Sequence, residues 1–165
     1  MAPHPLSTRD LPLPQQGSLT WIGVRPARNA PMLALTEAIL LTGQGIQGDH
    51  FPSRPGSKRQ VTLIQSEHLG VIAALTGVRM VMPEQLRRNL VVTGINLLAL
   101  KERRFLIGET LLEGTSACAP CRKMEAALGP GGYQAMRGHG GICARILSGG
   151  VLRPGDPVRV LDREP

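Results

Sequence analysis

Two cysteines separated by two residues stand in the run Thr115-Ser-Ala-Cys-Ala-Pro-Cys-Arg-Lys-Met-Glu125, and Arg122 and Lys123 follow the second directly. A neighbouring cation favours the thiolate, the form of cysteine that attacks electrophiles and ligates soft metals. Chemistry is therefore expected at Cys121. The competing reading makes it a small buried residue after a proline. The spacing also admits a rival, because Cys118, Cys121, His139 and Cys143 spell Cys-x2-Cys-x17-His-x3-Cys. A structural Cys3His zinc site could use that pattern, although a chain of 165 residues does not need a metal to fold. A reversible Cys118–Cys121 disulfide is a third possibility. Cys143, in an apolar run, is expected to be buried.

Other residue types suggest an anion site. Arg87, Arg88 and Asn89 precede the apolar run Leu90-Val-Val-Thr93, so at least one of their side chains should stand at a strand end. Arginine can hold a phosphate through two parallel hydrogen bonds. Arg88 and Asn89 are the favoured pair, and Lys58 and Arg59, ahead of another strand, earn the same hypothesis. The solvated-surface alternative stays open, since neighbours on an extended segment point opposite ways. His50 ends the glycine-rich loop Gly43-Gln-Gly-Ile-Gln-Gly-Asp-His50 and could donate a hydrogen bond or move a proton. Asp49 is expected to cap its own turn. His139, inside Arg137-Gly-His-Gly-Gly141, could line the same pocket or belong to a plain glycine turn. His4 and His68 have no supporting context. No P-loop or dinucleotide fingerprint is present.

These groups need a scaffold, and composition bounds it. Gly and Pro together number 34, and hydrophobic residues make up 42% with four aromatics. Frequent turns suit short strands better than long helices, and Leu, Val and Ile must fill the core. Strands are expected over Leu19–Arg25, Leu35–Leu41, Gln60–Gln65, Leu90–Thr93, Phe105–Gly108, Thr110–Glu113, Ile142–Leu147 and Pro157–Leu161. Helices are expected over Glu67–Leu75, capped by Ser66, and from about Arg122 to Leu128, ended by Gly129-Pro-Gly-Gly132. Residues 1–18 hold four prolines and read as an extended arm before one domain over 19–165.

Charge and composition also exclude. The net charge of +7 favours an anionic partner. Nucleic acid is not expected, because the four aromatics are too scattered to form a stacking platform. No run of 18 apolar residues is present, so no membrane span is expected. Three cysteines do not make a secreted disulfide framework, which places the chain in a reducing cytoplasm.

Five segments in order, Gly45-Ile-Gln-Gly-Asp-His50, Arg59-Gln-Val-Thr-Leu-Ile64, Arg87-Arg-Asn-Leu-Val-Val-Thr-Gly94, Cys121-Arg-Lys-Met-Glu125 and Gly149-Gly-Val-Leu-Arg-Pro-Gly-Asp156, together resemble the MOSC domain. That family is named after the C-terminal domain of molybdenum cofactor sulfurase. The resemblance covers roughly residues 19–162. It implies a small, mostly β barrel with a few short helices that binds molybdenum cofactor, a phosphorylated pterin (molybdopterin) whose dithiolene chelates the metal. Pyridoxal phosphate is not expected in this chain. The resemblance further implies Cys121 as metal ligand or sulfur carrier, and the residue readings above would then set Lys58, Arg59, Arg88, Asn89, Arg122 and His139 around the cofactor and His50 near the reaction. Relatives reduce N-hydroxylated compounds, and a sulfur-carrying role has been proposed for others. A reductase would need a separate electron-transfer protein, since no flavin, haem or iron–sulfur motif is visible. A carrier would need a cofactor-accepting enzyme.

Overall fold

The computed structural model describes residues 7–50, 54 and 56–161; His4 and Phe51 lie outside the described residues. Seven strands close on themselves around an aliphatic core. They are β1 (Gly17–Val24), β5 (Val61–Gln65), β6 (Leu90–Thr93), β7 (Arg104–Ile107), β8 (Thr110–Ala117), β9 (Ile142–Ser148) and β11 (Pro157–Val160). Their circular order is β1-β6-β5-β9-β8-β7-β11, closed by Gly17 pairing with Val158. All pairings in the ring are antiparallel except β5 with β6, where Leu63 faces Leu90. A parallel pair needs a crossover. Here it contains α1 (Ser66–Thr76) and α2 (Pro83–Leu86). β2 (Leu33–Leu35) extends the sheet beside β1, while β3 (Ala38–Leu41), β4 (Gly45–Ile46) and β10 (Gly150–Leu152) form a second, small sheet.

Alternation along each strand divides the apolar residues between two cores. Leu19, Ile22, Leu63, Leu90, Phe105, Ile107, Leu112, Ile142 and Val158 fill the barrel without measurable exposure. Ile64 and Val91, one residue along from Leu63 and Leu90, face outward. They meet Ile72, Leu86, Met124, Leu128 and Met136 from the helices. This double burial explains why β5 is buried at all five positions. The helical layer is completed by α3 (Arg122–Leu128) and α4 (Gly132–Met136). Glu125 on α3 joins them by accepting from the backbone N–H groups of Gly131 (2.9 Å) and Tyr133 (2.8 Å).

Sequence pattern and structure differ in several places. Ser66 does not cap α1: the N-cap is Gln65, which lies in β5, and no side chain caps the helix. The single strand expected over Leu35–Leu41 is two, because β2 pairs with β1 whereas β3 pairs with β10. α2, α4, β4 and β10 were not anticipated, and β8 runs on to Ala117 where a strand over Thr110–Glu113 was expected. Within the N-terminal segment, Thr8–Asp10 form a 3-10 turn, Leu13 packs against the barrel core, and Arg103 donates to the carbonyls of Arg9 and Leu11.

Candidate functional site

A cleft of about 200 Å³ opens at one edge of the barrel where the strand entries of β5 and β6 meet the start of α3. Among the described residues its cations are Arg25, Arg59, Arg87, Arg88 and Lys123, against one carboxylate, Asp49; Cys121 and Met124 complete the side formed by α3. Five positive groups against one negative make an anion site by simple charge count.

The chain builds this arrangement from separated segments. Asp49 is drawn to the end of β1, where its Oδ1 accepts from the Arg25 backbone N–H at 2.9 Å. His50 N–H donates to Arg25 O at 2.7 Å, so the glycine-rich loop and β1 are stitched together. Asp49 Oδ2 accepts from Asn89 Nδ2 at 3.2 Å, which adds the entry of β6. Asp49 therefore ties three segments rather than capping its own turn. Asn89 Oδ1 accepts from both the Thr62 N–H and its hydroxyl at 3.1 Å, and Nδ2 also donates to Gly23 O. The Asn89 amide is fully engaged by its own chain.

Arg88 is 4% exposed. Its guanidinium donates to Gly140 O (2.8 Å), Leu86 O (3.0 Å) and Cys118 O (3.2 Å). Burial pushes its pKa down, opposed by the neighbouring Cys118 thiol. Arg88 thus acts first as a clamp across three backbone segments. Arg87 lies in the left-handed region at φ 59°, an uncommon conformation for a residue with a side chain. This twist brings Arg87 to the cleft together with Arg88, where a simple extended segment would have turned one away.

Of the residues singled out from sequence, Cys121, Arg59, Arg88 and Asn89 line the cleft. Lys58 and Arg122 are exposed outside its lining, and Lys123 occupies the position expected for Arg122. His50 is exposed beyond Asp49. His139 faces His68 with ring centroids 5.1 Å apart, and its Nδ1 lies 3.0 Å from Ala135 O. Arg25, Asp49 and Arg87 are site residues that sequence reasoning passed over. Arg25 is the most informative of them, because its Nε and Nη1 are buried without a hydrogen-bond partner. Buried donors of this kind normally find an acceptor.

The zinc alternative does not survive the geometry. Cys118 and Cys143 are buried together, Cys121 is exposed on the cleft, and His139 packs on His68. No three His, Cys, Asp or Glu side chains among the described residues form a group able to hold a metal ion. All three cysteines are free thiols, so the Cys118–Cys121 disulfide is not formed in this structure.

A closed seven-strand mixed barrel with four short helices and a cysteine at a cationic cleft defines a class of small β-barrel domain. The sequence profile of the MOSC domain matches residues 47–159, and the chain belongs to that family. Among solved structures, the YuaD protein from Bacillus subtilis superposes with a TM-score of 0.77 at 20% identity, covering 91% of this chain and 98% of that one. YiiM from Escherichia coli gives 0.67 at 19% identity, with 89% and 71% covered. YiiM from Geobacillus stearothermophilus gives 0.69 at 17%, with 89% and 76% covered. These likenesses show a shared fold. No curated protein gives a significant match. Among the described residues no helix is long and apolar enough to cross a membrane.

Proposed function

We propose that the cleft binds molybdenum cofactor and that Cys121 supplies the thiolate that meets the metal. The family is associated with molybdenum-cofactor-related function, and the observation that carries the reading is local. An exposed cysteine stands at a cleft with five cations, and one of them, Arg25, presents buried donors that lack an acceptor.

The donor set fits the group. A thiolate suits a thiophilic metal, and Arg25, Arg59, Arg87 and Lys123 suit the phosphate of the pterin tail. At about 200 Å³ the cleft is smaller than the roughly 300 Å³ at the low end of ligand pockets. The remainder of a pterin would lie on the exposed rim near Lys58 and Arg122. When bound, the cofactor would supply two-electron chemistry at molybdenum, as in reduction of an N-hydroxylated substrate.

In that reading Arg88 and Asn89 hold the walls, and Asp49 fixes Arg25 through its backbone. His50 or water delivers protons from outside the lining. Electrons come from a separate electron-transfer protein. A carrier role, in which Cys121 holds a persulfide or the chain hands cofactor to an accepting enzyme, uses the same residues.

Activity separates the two. The chain, purified from a cofactor-producing host, is given a reduced viologen dye and an N-hydroxylated amidine. Steady reduction is expected from the wild type and loss of it from Cys121→Ser with the thermal midpoint unchanged. Full turnover by that variant would contradict the assignment of Cys121, whereas cofactor transfer without turnover would favour the carrier.

A further inference from the structure

Two half-buried histidines outside the cleft lining meet on the helical side of the barrel. His68 lies in the first turn of α1, and His139 lies in the loop between α4 and β9. Their rings make a T-shaped contact, with centroids 5.1 Å apart and planes at 76°. The Nδ1 of His139 lies 3.0 Å from Ala135 O and donates to it, since a carbonyl can only accept. The Nδ1 of His68 is buried and has no hydrogen-bond partner among the described residues.

We propose that this contact is an acid-sensitive latch: as neutral imidazoles the pair holds α1 against residues 137–141, and protonation of His68 parts them and loosens the wall of the cleft that this loop anchors. The consequence for a bound cofactor rests on the reading of the cleft given above. The latch itself does not, and its test needs no ligand.

An imidazolium carries a hydrogen on both ring nitrogens. Whichever nitrogen takes the proton from solvent, a charged His68 must therefore bury an Nδ1–H with no acceptor, beside a second imidazole able to take a proton of its own. Both are unfavourable. Little nearby answers the charge. Glu67 adjoins His68 in the chain, but its Oε1 accepts from the Thr93 hydroxyl (2.9 Å) and the Gly94 N–H (2.7 Å) beyond β6. The other elements packed on α1 are β5, β6 and α4. They hold no charged residue, and Tyr133 is their one titratable group. Around the loop stand two further cations, Arg137, which donates to Gln134 Oε1 at 3.1 Å, and Arg88, which donates to Gly140 O.

The loop that carries His139 is a junction. The His139 N–H donates to Met136 O at 2.8 Å, Gly140 O accepts from Arg88 Nε at 2.8 Å, and Gly141 O accepts from the Cys118 N–H at 2.8 Å. A Cβ at Gly140 would stand 2.4 Å from Cys118 O, and one at Gly141 1.8 Å from Leu63 O. The loop therefore has no slack, and a shift at His139 reaches Arg88, part of the cleft wall, within one residue. Electrostatics agree in direction: burial first, and the His139 ring second, push the His68 pKa down from 6.5, with Glu67 opposing. The stability that the neutral contact contributes is then complete above that unfolded value and is lost as pH falls through the lower, folded one.

The experiment titrates the full chain from about pH 8 to about pH 5 while NMR follows the imidazole resonances, with His68→Leu and His139→Gln assigning the pair. His68 should titrate below the value of about 6.5 of an unperturbed histidine, and His139→Gln, which keeps a donor for Ala135 O, should raise that midpoint. Hydrogen exchange, corrected for the intrinsic rate, reads the loop. The amides of residues 138–141 should lose about tenfold in protection at the acid end, and His68→Leu, which fills the space but cannot charge, should abolish that loss. A His68 midpoint at or above about 6.5, no acid loss of protection in the wild type, or the same loss in His68→Leu would each overturn the latch. Failure of the cofactor reading would leave every one of these readouts unchanged.

Discussion

Arg88→Met is expected to lower the thermal midpoint by about 10 °C or more, a larger effect than loss of any exposed arginine. The guanidinium satisfies Gly140 O, Leu86 O and Cys118 O from one buried position. Each buried acceptor left without a donor costs about 1–3 kcal/mol, so three together cost on the order of 4 kcal/mol. In a domain of this size each kcal/mol moves the midpoint by about 2–4 °C. Arg88→Lys keeps the charge but cannot reach three divergent carbonyls with one compact ammonium, and it should recover part of the loss. Thermal unfolding followed by circular dichroism measures both. A shift of less than about 2 °C for Arg88→Met would show that the carbonyls are not held by this side chain and would return Arg88 to the role of a ligand-facing arginine.

Gly141→Ala is expected to be at least as damaging, and Gly138→Ala serves as its control. Both glycines have positive φ, 85° and 81°, and strain of that kind costs about 1–2 kcal/mol for a residue with a Cβ. The difference lies in space. A Cβ at Gly141 would stand 1.8 Å from Leu63 O and 2.9 Å from Ile64 Cα, both backbone atoms of β5, whereas nothing lies within 4 Å of one at Gly138. Backbone in the centre of a closed barrel cannot move aside without breaking its pairing to β6 and β9. Gly141→Ala should therefore cost on the order of 4 kcal/mol or prevent folding, and Gly138→Ala about 1 kcal/mol. Denaturant midpoints or soluble yield would show it. Equal effects at the two sites would mean that φ alone decides, and that β5 can yield.

Much of the scaffold was readable because its signals are local. Leu90–Thr93 and Arg122–Leu128 have the bounds their patterns imply, since an apolar run flanked by polar residues and a run ended by Gly129 need no distant partner to be recognised. The break between β2 and β3 was hidden because the two strands pair with β1 and β10, far apart in sequence. α4 was hidden for a different reason. It starts at Gly132, where a Cβ would stand 2.5 Å from Leu128 Cβ, so packing selects a residue that propensity disfavours. Gln65 in turn begins α1 without a polar cap because its Oε1 is used by the Leu97 N–H.

The site was legible in its central residue and less so in its surroundings. Cys121 and Arg59 carry their signal in neighbouring charge and strand position. Arg25 and Asp49 do not, because what brings them together is a backbone-to-carboxylate bond across 24 residues. Arg87 was named beside Arg88 and Asn89 but not favoured, and its approach to the cleft depends on a left-handed backbone at φ 59° that the sequence pattern does not show. His139 and Cys143 had plausible metal-ligand spacing in sequence, but the fold sends one against His68 and the other under β8 beside Cys118. Spacing along a chain constrains a metal site only when its segments also converge.

The central claim is that the cationic cleft with Cys121 holds molybdenum cofactor. Its most direct test is the molybdenum and pterin content of the purified chain, read by elemental mass spectrometry and by the fluorescence of the oxidised pterin. Wild type and Cys121→Ala are compared after expression in a cofactor-producing host. Molybdenum together with pterin in the wild type, lost or loosened in the variant, is the expected result. Stoichiometric zinc without pterin, or neither group retained by a folded chain, would contradict the account.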